Sequence, residues 1–209
     1  MKNYWHFLLL LLLLQFSYAE KSNESWNGIN IEVKLPYSMK LGIEQNLRFV
    51  DQSPKFKQTF TEISLSYKLF KDVLIILPFR YAIFDDKTKQ RLSFASSYKY
   101  SINPFSMKYR LKFQRVFEDG NFSNDMIRNK LWIRYKFNKR FRPFIAGEIL
   151  QIEKSNKYQL DEYRFSLGFK IDFFKNRSIN IFYTLKKEDI NKLIPDQINV
   201  FGLGYNYTI

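Results

Sequence analysis

Cysteine is missing from the 209-residue chain, and the one histidine, His6, stands near its start. The first absence excludes a disulfide framework and thiolate metal sites. Residues 1–19 carry the marks of a cleavable secretory leader: Lys2, the apolar run FLLLLLLLQF from Phe7 to Phe16, and the small-x-small triplet Ser17-Tyr18-Ala19 before Glu20. That run of ten residues falls well short of the roughly 20 that a spanning helix needs. Cleavage removes His6, so the mature chain, residues 20–209, holds neither histidine nor cysteine. Ser-His-Asp hydrolysis, Cys-His nucleophiles and His-ligated zinc are thereby excluded. No cofactor is implied.

Glycine is scarce, with 7 residues, whereas Phe and Tyr number 22 and 14. Aromatic rings pack well on a pleated surface, which favours strands. Charge is one-sided: 34 Lys and Arg face 20 Asp and Glu, and loss of Lys2 leaves 33 against 20, or +13, on the mature chain. Period-two alternation recurs from residue 27 onward, with no convincing helical stripe. In the stretch around KYRLKFQ, Met107, Tyr109, Leu111 and Phe113 share one face while Lys108, Arg110, Lys112 and Gln114 share the other. The same pattern recurs around MIRNKLWIRY and YRFSLGFKIDF. Strands are expected at roughly 29–35, 39–49, 58–69, 72–83, 91–102, 105–116, 126–137, 143–152, 162–173, 178–186 and 198–209. No linker or repeat divides them, so residues 20–209 read as one domain.

These segments run to about ten residues, the length of a tilted strand crossing a bilayer. Their connections read as short turns (FK, INP, NKRF, FKNR) alternating with longer polar loops (FDDKTKQ, EDGNFSND, EKSNKYQLD, KEDINKLIPD). Sorted loops and an even strand number mark bacterial outer-membrane barrels. The expected fold is therefore all-β, an antiparallel up-and-down transmembrane barrel of about 10 strands, with 12 possible. At ten, the segment 29–35 is left over.

Alternation alone does not say which face looks outward, since a soluble barrel has the same period reversed. Strand length and loop sorting favour lipid on the apolar side. Aromatics near strand ends, among them Tyr37, Phe70, Phe105, Phe137 and Phe174, fit interfacial girdles. The lumen is then lined by Lys40, Glu44, Arg48, Glu62, Arg80, Lys108, Arg110, Lys112, Arg128, Lys130, Arg134, Glu148, Arg164 and Lys170.

The stretches KYRLKFQR (108–115), MIRNKLWIRY (126–135), RPFIAGEI (142–149), YRFSLGF (163–169) and the closing VFGLGYNYTI resemble, in order and spacing, an uncharacterised bacterial outer-membrane barrel family, domain of unknown function 2490. The likeness runs from about Trp26 to the end. It implies an outer-membrane β-barrel and supplies no activity, ligand or site residue. The last strand also looks like the signal read by the barrel-assembly machinery, carried here by Phe201, Leu203, Tyr205, Tyr207 and Ile209, with Ile209 where a Phe is usual.

The function expected is a non-enzymatic outer-membrane barrel with a cation-rich, ion-paired lumen. One alternative is a narrow anion-favouring pore, since rings of Lys and Arg attract anions. Another is a histidine-independent, lipid-modifying enzyme using Glu44, Glu62 or Glu148. Nucleic acid is not an expected partner, because cations and rings occupy opposite faces rather than sharing one groove. Outer-membrane lipid and lipopolysaccharide are the expected neighbours, the latter near Lys87, Lys89, Lys154 and Lys157. The sequence does not set the oligomeric state.

Overall fold

A pleated strand sends successive side chains to opposite faces, so a chain that alternates rings with charges can bury one set and expose the other. The computed structural model describes residues 21–50 and 55–209; the expected leader lies outside the described residues. Eleven strands form: β1 (Lys21–Lys34), β2 (Met39–Val50), β3 (Lys55–Lys68), β4 (Val73–Phe84), β5 (Thr88–Ile102), β6 (Phe105–Glu118), β7 (Asn121–Tyr135), β8 (Phe141–Lys154), β9 (Lys157–Phe174), β10 (Arg177–Glu188) and β11 (Asp196–Thr208). They close into a barrel in which each strand pairs with its sequence neighbour and β1 pairs with β11.

The count of eleven lies between the two even numbers that parity suggested. The seam explains it. β1 and β11 run parallel, in register from Lys21↔Gln197 to Glu32↔Thr208, while β1 and β2 are antiparallel. The stretch left over from a ten-stranded count is thus the second half of a wall strand. Its polar first half, KSNES, had no alternation to reveal it, yet it pairs with β11 throughout and with β2 from Glu24 onward.

The connections are less sorted than expected. One rim carries 35–38, 69–72, 103–104, 136–140 and 175–176; the other carries, among the described residues, 85–87, 119–120, 155–156 and 189–195. Three of the segments read as long loops are mostly strand, because a ladder of backbone hydrogen bonds continues past the last apolar residue. Asp119 and Gly120, at φ 48° and 83°, and Ser155 and Asn156, at 52° and 61°, form two-residue hairpins of the kind that requires positive φ at both positions. Ile209 closes the first rim: its N–H donates to the Glu32 carbonyl at 2.8 Å, and its carbonyl accepts from Lys34 N–H at 3.0 Å.

The barrel is apolar outside and charged inside. Leu92 is 59% exposed while Lys112 is 3% exposed, the reverse of a soluble protein's arrangement. Exposed Tyr37, Phe70, Phe105, Phe137 and Phe174 ring the first rim. Phe201 and Leu203 are outward and exposed, and the Phe201 ring packs 5.3 Å from that of Tyr183. A small apolar cluster of Trp26, Ile198, Val200 and Phe182 sits within the lumen.

Phe182 is opposite Gly168 on one side and Gly202 on the other. A Cβ at Gly202 would come within 2.0 Å of the Phe182 ring, and one at Gly168 within 2.4 Å of the Ile181 carbonyl oxygen. These glycines give the inward ring its room. Gly202→Ala should destabilise the barrel by about 1–3 kcal/mol through overpacking, read as a lower urea midpoint in detergent. Removing the ring with Phe182→Ala should make the glycine substitution less costly; strictly additive effects would show that the ring is not what Gly202 accommodates.

Candidate functional site: a cationic lumen

Closure turns the polar faces of the strands toward one another around a central cavity of about 450 Å³. Nine cations line it (Arg48, Arg80, Arg91, Lys108, Arg110, Lys112, Arg128, Lys130 and Arg164) with four carboxylates (Glu32, Glu44, Glu62 and Glu148), an excess of five positive charges. Eleven of the fourteen side chains expected in the lumen border this cavity. The other three stand nearer the first rim. Arg134 and Lys170 line a cavity with Asp172, Lys175 and Arg177, and Lys40 pairs with Glu32 at 3.3 Å.

Register explains the ion pairs. Glu148 on β8 is opposite Lys130 on β7 and Arg164 on β9. Arg128 Nη2 donates to its Oε1 at 2.8 Å, and Lys130, Arg164 and Arg110 stand at 3.5, 3.7 and 3.9 Å. A single buried carboxylate thus lies within reach of four cations, of which Arg164 also pairs more closely with Glu162. Glu62 on β3 is opposite Arg80 on β4, accepts from its Nε at 2.8 Å, and lies 3.8 Å from Lys112 Nζ. Such pairing offsets the cost of taking these charges out of water. Glu62 and Glu148, two of the three carboxylates open to a histidine-free enzyme, are therefore occupied as counter-ions.

A second device is a stack of guanidinium groups and rings. Arg164 lies 5.4 Å from the Trp26 ring centre and Arg48 lies 3.8 Å from it. Arg48 is also 5.2 Å from Phe60, which Arg80 meets at 3.7 Å. Planar guanidinium groups favour such faces. Trp26 Nε1 donates to Glu24 at 2.7 Å, which holds the indole inside the barrel. Sequence reasoning missed Trp26 because it precedes the alternating part of β1. Phe60 was legible, being in phase with Glu62, a residue already placed in the lumen.

At the first rim a further cavity of about 460 Å³ is lined by Lys99, Arg134, Lys136, Lys139 and Arg142, with no carboxylate. At the opposite rim, cations are matched: Lys87 and Lys89 both pair with Glu118 at 2.9 Å, and Lys154 with Asp161 at 3.5 Å. Among the described residues, no group of three or more His, Cys, Asp or Glu is placed to hold a metal ion.

A family model described as "Protein of unknown function (DUF2490)" matches residues 23–192. No curated protein sequence matches the chain. Among solved structures, the NanC porin superposes with a TM-score of 0.55 at 9% identity, over 84% of this chain and 93% of that one. The KdgM porin gives a TM-score of 0.49 at 13% identity, over 78% and 89%. At 9% identity the likeness to the NanC porin is one of fold: a porin-like barrel.

Glu148→Gln removes a carboxylate within reach of four cations, so it should cost about 3–5 kcal/mol. The readout is the urea midpoint of the detergent-folded barrel. Glu32→Gln, at the half-exposed pair with Lys40, should cost under about 1 kcal/mol. Equal losses for the two would contradict a central role for Glu148.

Proposed function

The chain belongs to the DUF2490 family of proteins of unknown function, and we propose that this member is an outer-membrane barrel whose narrow lumen admits small anions. One observation carries the reading: nine cations and only four carboxylates border the central cavity. A closed ionic core would need balanced charge, because each unmatched buried charge costs several kcal/mol. Mobile anions entering from solvent supply that balance. Pairing at Glu148 and Glu62 narrows the lumen, and the carboxylate-free cavity at the first rim gathers anions at its mouth, as rings of Lys and Arg do in anion pores.

Placement in lipid is supported by the apolar outward face and by the exposed ring of Tyr37, Phe70, Phe105, Phe137 and Phe174, which matches an interfacial girdle. Such a face in water would be an aggregation hazard. Export through a cleaved leader, contact with lipid and lipopolysaccharide, and recognition of Phe201, Leu203, Tyr205, Tyr207 and Ile209 by the barrel-assembly machinery belong to the same reading. No observation favours an enzyme.

The barrel should fractionate with outer membranes, need detergent for extraction, and change its gel mobility on boiling. In planar bilayers under a potassium chloride gradient, its reversal potential should lie on the chloride side. Arg48→Gln with Arg91→Gln should move that potential toward zero. Absence of conductance at every voltage, or preference for potassium, would overturn the anion reading.

A further inference from the structure

The hydrogen-bond ladders have one interior interruption among the described strands. β4 and β5 pair from Val73↔Tyr98 to Ile76↔Ala95 and again from Phe79↔Leu92, leaving Leu77 and Pro78 unpaired with Ser93 and Phe94. Elsewhere the ladders run on or shift at a bulge. Pro78 is the cause: it has no N–H to donate, and proline within a wall strand removes a ladder hydrogen bond. It also borders both sides of the wall. Inside, it lines the central cavity with Leu74, Ile76 and Ala95. Outside, it lines a groove of about 560 Å³ with Leu77, Phe79, Leu92, Phe94 and Phe113.

The lumen side of this gap differs from the rest of the lumen. Interiors of such barrels are polar, yet β4 sends Leu74, Ile76 and Pro78 inward before reaching Arg80. Arg80 stands opposite Arg91 in the register, and like charges in that position repel. Arg80 is matched by Glu62 at 2.7 Å. Arg91 has no such partner among the described residues, and its buried Nε has no hydrogen bond. An apolar strip beside the interrupted ladder therefore ends on a cation lacking an anion. Arg80 lies two residues from Pro78, about 7 Å along the strand, so one short molecule spans both.

We propose that the gap at Pro78 is a side portal for a single-chain anionic amphiphile. Its head binds Arg91 and Arg80 in the lumen, and its chain passes over Pro78 into the outer groove among Leu77, Leu92 and Phe94. This rests on the reading above that the outward face lies in lipid. Charge complementarity selects the anionic head, and the apolar strip and groove select the chain. A small anion needs neither, and a neutral sugar matches neither end.

Because the chain has no cysteine, Ile76→Cys supplies a single thiol beside the gap. The barrel carrying it is folded into phosphatidylcholine vesicles and labelled with a maleimide in the presence of laurate, dodecanol or acetate. Laurate at about ten times its Kd should slow labelling by about tenfold, because only the unoccupied fraction reacts, while dodecanol and acetate leave the rate nearly unchanged. Adding Pro78→Val, which restores the missing donor, or Arg91→Gln, which leaves every backbone bond in place, should abolish protection by laurate. Gel mobility before boiling shows that each variant has folded, and Arg91→Gln decides the matter should Pro78→Val not fold. Equal protection by dodecanol would reduce the gap to an apolar groove, and equal protection by acetate would reduce it to a small-anion site; either overturns the portal. So does laurate protection that survives Pro78→Val. Chloride conductance is recorded on the wild-type barrel, so absent laurate protection in a conducting barrel overturns the portal and leaves the pore standing.

Discussion

The parallel ladder between β1 and β11 is the constraint on which the rest depends. Without it the sheet would be open, its inward Lys and Arg would remain in water, and none would need a partner. With it, polar faces from all eleven strands are confined to one narrow volume, and low dielectric raises every interaction there. Closure also brings in Trp26 and Glu24 from β1, so the strand that completes the wall supplies the indole on which Arg48 and Arg164 stack.

Within that volume, three arrangements share the positive charge. Glu148 and Glu62 gather cations from neighbouring strands, as register dictates. Guanidinium groups interleave with Trp26 and Phe60, which lowers the cost of burial without cancelling charge. The remaining excess falls to Arg48, Arg91 and Lys108, cavity-lining cations with no carboxylate in the described ion pairs. A lumen built this way is rigid where charges are matched and receptive to anions where they are not. The apolar inward stretch of β4 interrupts this scheme next to the interruption that Pro78 makes in the hydrogen-bond ladder.

Much of the fold was legible in particular residues. Met107, Tyr109, Leu111 and Phe113 announce one face of a strand and Lys108, Arg110 and Lys112 the other, because period two is a property of the backbone itself. The hairpin at Asp119-Gly120 was equally available, since Asp-Gly is the strongest short hairpin signal, yet the polar run around it suggested a long loop. Polarity misleads there because backbone pairing does not require apolar side chains. Gly168 and Gly202 stood within the stretches that carried the family resemblance, but their reason, the Phe182 ring between them, lies on another strand.

The sequence by itself determined the middle of most strands, their two faces and the excess of cations on one of them, because alternation and charge are local properties of the chain. Only the tertiary structure decided the number of strands, which carboxylate serves which cation, and where the ladder is interrupted. Those depend on register between strands, and register at the seam joins residues nearly the whole chain apart, such as Glu32 and Thr208. Hydrogen bonding and closure act across that distance, and no local pattern records them.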